Sequence, residues 1–355
     1  MWGMIRLEAI ETQNVSPALK GAVGENENNS PASVGVGMLD KKPDISVSVV
    51  NFNSLEYLIR CLDSLKKHSQ GLNVEVLIVD NGSTAFDPKR IYQIFPQAII
   101  NVNQDNKGFA YAQNQNFILS KADCFLLLNP DLILTPGAIQ GILDTFSRFG
   151  DVAIVGPNLV ATDGRSLVNV RHFPTMKSAL SELLLFNAIG AKRDSAGSIP
   201  DTADFQYVEC ITGAAFAVRS DLYRSLGGLD SRFFMYFEEV DFCKRVSQLP
   251  QQKIVLLPHL EVLHYHGRSS IQTDVRQTVY YESYYHYFKK HHGFFISFAI
   301  RGLIIFNTIA RILGIQIKYF PLTKGWKEYF RKTLSAFRLV FWALGLREST
   351  RGSSR

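Results

Sequence analysis

Hydrophobic and polar positions fall into blocks with two periods. From Asp44, "ISVSVVNFN" is an apolar, β-branched run that ends in asparagines, and "SLEYLIRCLDSLKKH" behind it spaces its apolar residues along one helix face. "VEVLIVDNGS" is a second buried strand, ending in Asp-Asn-Gly. "AIINVNQDNKGFAYAQNQNFILSKA" predicts a short strand, a polar loop and a helix, and "CFLLLNPDLIL" a further strand that ends in Asn-Pro-Asp. "LTPGAIQGILDTF" predicts a helix with Thr135 as N-cap and Pro136 at its first position. In the second half "EEVDFCKRVSQ" sets Val240, Cys243 and Val246 at helical spacing, and "KIVLLP" with "HLEVLHYHGRSS" reads as a last strand and a His-bearing loop. Strands that alternate with helices and are apolar along their whole length predict an α/β protein whose parallel sheet is covered on both faces.

In such sheets ligands bind beyond the carboxyl ends of the strands. Asn51 and Asn53, Asp80 to Ser83, and Asn129 to Asp131 all stand at strand ends. Any one of these clusters serves equally well as a turn or helix cap. Their recurrence at three consecutive strand ends points to a nucleotide-type crevice. The sequence has no GxGxxG after the first strand and no GxxxxGK[ST], which sets aside a dinucleotide fold and a P-loop.

The stretch "FFMYFEEVDF" (233–242) places Glu238, Glu239 and Asp241 among aromatic residues. A carboxylate in such a setting is paired, exposed at one edge, or functional, because burying it alone costs too much. Negative charge at the N-terminus of "EEVDFCKRV" accounts for the carboxylates as helix caps but leaves the aromatic cluster unexplained. Asp241 and Arg245, four apart, are expected to pair.

Composition adds one asymmetry. The chain is 46% apolar and 20% charged, ordinary for a globular protein, with a net charge of +6. Residues 289–355, however, hold 13 Lys/Arg against 2 Asp/Glu, and the remainder 25 against 30. Within that tail, Arg301, Asn307, Thr308, Arg311 and Lys318 fall in one sector of a helix from Phe294 to Phe320. In "WKEYFRKTLSAFRLVFWALG", Lys327, Arg331 and Arg338 oppose Phe330, Leu334, Phe337 and Phe341. A basic face and an aromatic face with little acid predict helices lying on an anionic membrane surface; segments this apolar argue against nucleic acid. Cys61, Cys124, Cys210 and Cys243 lack CxxC spacing and are expected to be reduced, structural thiols of a cytoplasmic protein. Gly/Asn/Ser-rich residues 1–43 are expected to be a disordered extension, residues 44–288 the globular domain and 289–355 the tail.

The pieces "VSVVNFN", "VDNGS", "NKGFAYAQN", "NPD", "TGAAFAVRSDLYRSLGGLDSRFFMYFEEVDFCKR" and "HYHGRSS", in this order over residues 45–270, resemble the inverting nucleotide-sugar glycosyltransferases of family 2. The likeness is to the bacterial rhamnosyltransferase-like branch. It implies a GT-A fold and a dTDP- or UDP-sugar donor with Mg²⁺ or Mn²⁺. It also implies transfer of a sugar such as rhamnose, with inversion, to a saccharide or lipid-linked glycan in cell-surface polysaccharide synthesis. It makes Glu239 the general base and Asp80 the residue that meets the donor's base and ribose. It makes Asp131 and His264 metal ligands, with His266 as the alternative to His264. Asn51, Asn53, Asn81, Ser83, Lys107, Gly108, Asn114, Asn129, Thr212, Gly213, Glu238 and Arg245 follow as substrate-site residues, and Phe234, Tyr236 and Phe237 as walls of a sugar-sized pocket. The family's Asp-x-Asp is Asn129-Pro130-Asp131 here, and Glu239 stands where Asp is usual. A non-catalytic nucleotide-sugar or glycan-binding protein on the same scaffold is the alternative.

Overall fold

A computed structural model describes residues 41–184, 204–265, 273–319 and 326–345. Most of the expected N-terminal extension, His266 and the "GRSS" behind it lie outside the described residues. The chain runs β1 (Ile45–Asn51), α1 (Leu55–His68), β2 (Val74–Asp80), α2 (Pro88–Tyr92), β3 (Ile99–Val102), α3 (Phe109–Leu119), β4 (Cys124–Leu128), β5 (Leu132–Ile133), α4 (Ala138–Arg148), β6 (Val152–Val160) and β7 (Val170–Arg171). It continues through α5 (Met176–Leu184), β8 (Gln206–Tyr207), β9 (Cys210–Ile211), β10 (Ala215–Arg219), α6 (Ser220–Ser225), α7 (Glu238–Val246) and β11 (Lys253–His264) to three helices, α8 (Thr273–His291), α9 (Phe294–Tyr319) and α10 (Trp326–Ala343).

The main sheet has the order β3-β2-β1-β4-β10-β6-β11-β5, with β8 on β11. β3, β2, β1 and β4 are parallel. β10 then enters antiparallel between β4 and β6. The α/β GT-A reading of the sequence is thus borne out. Side chains of β4 alternate between two cores: Leu126 and Leu128 join Leu58, Cys61 and Leu62 of α1, whereas Phe125 and Leu127 join Tyr223, Phe242 and α8. Each Leu or Phe so buried contributes about 1.5–3 kcal/mol, which is why the strands read as unbroken apolar runs.

Two local expectations are corrected. Thr135 is not a helix cap: α4 begins at Ala138 behind Gly137, whose φ of 81° suits glycine. The Thr135 hydroxyl instead donates to the Glu261 carbonyl and ties the loop to β11. The second correction concerns α9. Its polar sector faces the protein: Asn307 is 1% exposed and donates to Leu183 O at 2.5 Å, Thr308 is buried, and Arg301 lies over the Tyr285 and Trp342 rings. Phe295, at 86% exposure, faces out with Phe294, Phe298, Phe306 and Leu313, as do Phe337 and Phe341 of α10. The face turned away from the protein is therefore the apolar one. The side chains of Lys318, Lys327, Phe330 and Arg331 lie outside the described residues. α8 runs unbroken across residue 288, and Ile300, Ile304 and Leu339 share the second core with Phe125.

Candidate active site

The carboxyl ends of β1, β2 and β4 meet at one edge, as parallel pairing in register requires. Asn51, fully buried, donates to Asp80 Oδ1 at 2.6 Å and to Ser83 Oγ at 3.1 Å. Ser83 returns its N–H to Asp80 Oδ2 at 3.0 Å and its hydroxyl to Oδ1 at 2.6 Å. The Asp80 carboxylate is thus 1% exposed and held by three protein donors. Asn53, left-handed at φ 52°, accepts from Thr84 N at 2.8 Å and closes the turn.

Asn81 organises the next loop. It accepts from Asn103 Nδ2 at 3.0 Å and Lys107 N at 3.1 Å, and donates to Asn106 Oδ1 at 2.8 Å. Lys107 itself pairs with Asp105 at the surface, 2.7 Å away. Gly108, at φ 91°, lies where a Cβ would come within 2.5 Å of Phe234 O, and Phe109 N donates to that carbonyl at 2.8 Å. The "NKGF" loop therefore leans on the backbone of the "FFMYFEE" segment and joins the two halves of the site.

Asn129 N donates to Ala214 O at 2.8 Å. Pairing of β5 with β11 sets His264 opposite Leu132, next to Asp131, and His264 Nε2 stands 3.3 Å from Asp131 Oδ1. One carboxylate oxygen and one imidazole nitrogen at that spacing can share a divalent cation, with the remaining positions left to diphosphate oxygens. No group of three or more His, Cys, Asp and Glu side chains placed to hold a metal ion occurs among the described residues. Cys61 lies nearby, with Sγ 3.7 Å from Asn129 O; burial, then the charge of Asp131, pushes its thiol up to about 12.

The "FFMYFEEVDF" segment folds sharply. Tyr236 and Phe237 are both left-handed, at φ 68° and 69°. Each costs on the order of 1–3 kcal/mol, and such strain gathers at functional sites. The turn drives Phe237 into the core against Tyr280, Tyr284 and Tyr287, with ring centroids 5.4–5.8 Å apart, and delivers Glu238 and Glu239 to the first turn of α7. Both glutamates are almost fully buried, and Oε2 of each has no hydrogen-bond partner among the described residues. Burial, then the charge of Glu239, pushes the Glu238 carboxyl well above the usual carboxylate range. Arg171 Nη1 lies 3.5 Å from Glu239 Oε1. A Cβ on Gly213 would lie 3.6 Å from the Glu239 stem, and the buried Thr212 hydroxyl lacks a partner among the described residues.

Asp241 and Arg245 pair as expected, at 2.9 Å. Asp241 also takes Lys290 at 2.6 Å and His291 at 2.8 Å. Burial alone would raise its carboxyl, but the His291 hydrogen bond and the charges of Arg245 and Lys290 outweigh it and hold it below the usual range. Arg245 spends its other nitrogens on the carbonyls of Leu226 and Gly228, each at 2.7 Å. Asn114 reaches the same turn, donating to Leu229 O at 2.7 Å and accepting from Leu229 N at 3.0 Å. Arg245 and Asn114 thus brace the "LGGLD" turn from within. Arg171, Lys290 and His291 carry no motif signal in the sequence. Arg171 sits in a two-residue strand, and the other two close α8, whose last three residues the sequence assigns to the tail.

The mixed sheet, with its polar strand ends gathered at one edge, has the architecture of the GT-A fold. Residues 46–207, somewhat under half of the chain, match the model of Glycosyl transferase family 2. The chain is 28% identical over 246 residues to the N-acetylglucosaminyl-diphospho-decaprenol L-rhamnosyltransferase of Mycobacterium tuberculosis, a match over 64% of this chain and 77% of the relative. It is 25% identical over 217 residues to a low-salt glycan biosynthesis hexosyltransferase of Haloferax volcanii, covering 59% and 63% of the two chains. Among solved structures, GalNAc-T7 with UDP, GalNAc and Mn²⁺ shares the fold at a TM-score of 0.51 and 14% identity, over 70% of this chain and 48% of that one.

Proposed function

We propose that this chain transfers a sugar, rhamnose in the first instance, from a dTDP- or UDP-sugar to a saccharide or lipid-linked glycan, with inversion, in cell-surface polysaccharide synthesis. The observation that carries this is Glu239: a nearly buried carboxylate whose Oε2 has no hydrogen-bond partner among the described residues, beside a Glu238 whose carboxyl burial pushes up. An acceptor hydroxyl bound there gives its proton to Glu239 Oε2 while its oxygen attacks the anomeric carbon and the bond to the nucleoside diphosphate breaks. The upward push on the Glu238 carboxyl favours its protonated form, which can donate a hydrogen bond beside the base. Asp131 and His264 would hold Mg²⁺ or Mn²⁺, which supplies positive charge for the departing diphosphate.

The assay is direct. Purified full-length chain, incubated with a panel of dTDP- and UDP-sugars and lipid-linked acceptors, releases nucleoside diphosphate only with Mg²⁺ or Mn²⁺ present. Donor binding without turnover across the panel would leave a non-catalytic nucleotide-sugar-binding protein instead.

The reaction takes place, in this reading, on the cytoplasmic face of the cell membrane. The outward phenylalanines of α9 and α10, within a tail of 13 Lys/Arg and 2 Asp/Glu, suit an anionic leaflet. Phe294 to Leu313 is also long and apolar enough to cross a bilayer, by length and composition. Replacing Phe294, Phe295 and Phe298 together by Ser removes exposed side chains only, so the fold stays. Partition to phosphatidylglycerol-containing vesicles is expected to fall by about tenfold or more, since 1.4 kcal/mol is tenfold and one buried Phe is worth about that. Sedimentation at the parent's level would refute this membrane face.

A further inference from the structure

Among the described residues, the cation that pairs with Glu239 comes from outside the main sheet. Arg171 closes β7, which pairs with β9 in a separate two-stranded ribbon. In that antiparallel pair Arg171 stands opposite Cys210, so both side chains leave the same face of the ribbon. Cys210 is fully buried and shares a core with Cys243, one turn beyond Glu239 on α7. The face that carries Arg171 is therefore the face that meets the helix of the base.

The ribbon is braced at both ends of β7. Before it, the buried Asn169 donates its amide to Pro157 O at 2.5 Å, and its carbonyl accepts from Thr212 N at 2.9 Å. Behind it, Phe173 N donates to Glu209 Oε2 at 2.7 Å, and Lys244 of α7 lies 4.7 Å over the Phe173 ring. What this mount delivers is one guanidinium, with Nη1 3.5 Å from Glu239 Oε1.

Glu239 has need of such a partner. A carboxylate taken almost wholly out of water is costly without a paired cation. Its terminal torsion is broad and roughly two-fold, so nothing intrinsic to the side chain decides which oxygen faces the acceptor. Arg171 takes Oε1, and Oε2 is left without a hydrogen-bond partner among the described residues.

We propose that Arg171 is a positioning residue for the transfer: by holding Oε1 of Glu239 it keeps Oε2 turned to the acceptor hydroxyl. This rests on the reading of Glu239 as the base and adds a residue that acts through it.

The test is a double-mutant cycle on the full chain. Rates of nucleoside-diphosphate release are measured for the parent, Arg171→Gln, Glu239→Gln and the double variant, beside melting curves and titrations with UDP and dTDP. Arg171→Gln is expected to lower kcat about 10- to 10²-fold, since a misplacement of about 1 Å can cost 10²-fold. Nucleoside-diphosphate binding and Tm stay at the parent's values, which also shows that the variant folds. In the Glu239→Gln background the same change is expected to cost less than about twofold, within the scatter of independent sites, because the group it orients has lost its function. Arg171→Lys, which keeps the charge without the planar fork, recovers part of the rate. Equal losses in the two backgrounds overturn the proposal, because Arg171 would then act on something other than the base. So does an Arg171→Gln variant at the parent's rate, or one whose loss follows a fall in Tm or in nucleoside-diphosphate binding. Glu239→Gln at the parent's rate, or a parent that turns over no donor, would instead bring down the reading of the base, and this inference with it.

Discussion

Glu239→Gln keeps the size and most of the hydrogen bonding of the side chain but removes its capacity to take a proton. Transfer is therefore expected to fall by about 10²–10⁴-fold while the nucleotide-sugar still binds, the usual worth of a general base. Initial rates and donor titrations on the same preparation check it. Neighbouring variants sharpen the reading. Glu238→Gln leaves the proton acceptor in place, so it costs far less. Glu239→Asp retains substantial activity. Asp241 is no fallback base, because Arg245, Lys290 and His291 hold its charge in place. If Glu238→Gln were the dead variant and Glu239→Gln the active one, the roles of the two glutamates would be exchanged.

Asp131→Ala is expected to abolish metal-dependent turnover, by more than about 10²-fold, since even losing a group that merely supports a metal ligand typically costs 10–100-fold. Its side chain stands at a strand end, 13% exposed, outside both cores, so the thermal unfolding midpoint should move little. Turnover measured against Mn²⁺ concentration, beside a melting curve, separates the two effects. A variant that matches the parent in rate and in metal dependence refutes the ligand assignment.

The strands were legible because each carries its own period and stands buried on both faces. β1 is buried at all seven positions and β4 at all five, and a run of that kind has few other places to go. Strand ends marked the site's edge for the same reason. What escaped the sequence is what depends on distant pairing. β10 is as apolar as its neighbours, and nothing in "AFAVR" says that it runs antiparallel between β4 and β6. Tyr236 and Phe237 are aromatic, a type that rarely adopts positive φ, so the turn that presents Glu239 had no local signature. Amphipathicity of α9 was visible, but not which face the protein would claim. The polar sector docks onto Leu183 and Trp342, contacts more than a hundred and about forty residues away in the chain.

The insertion of β10 also governs when this protein can become a protein during synthesis. β4 and β6 have no ladder in common without residues 215–219, and β6 finds its other neighbour only in β11. A ribosome that has released residues 46–207, the whole span of the family match, has therefore delivered a half-sheet with β4 unpaired along one side and β6 without a main-sheet partner. Some fifty further residues, through β11, must emerge before those edges close. During that interval the nascent chain presents open apolar strand edges, the kind of surface that chaperones shield.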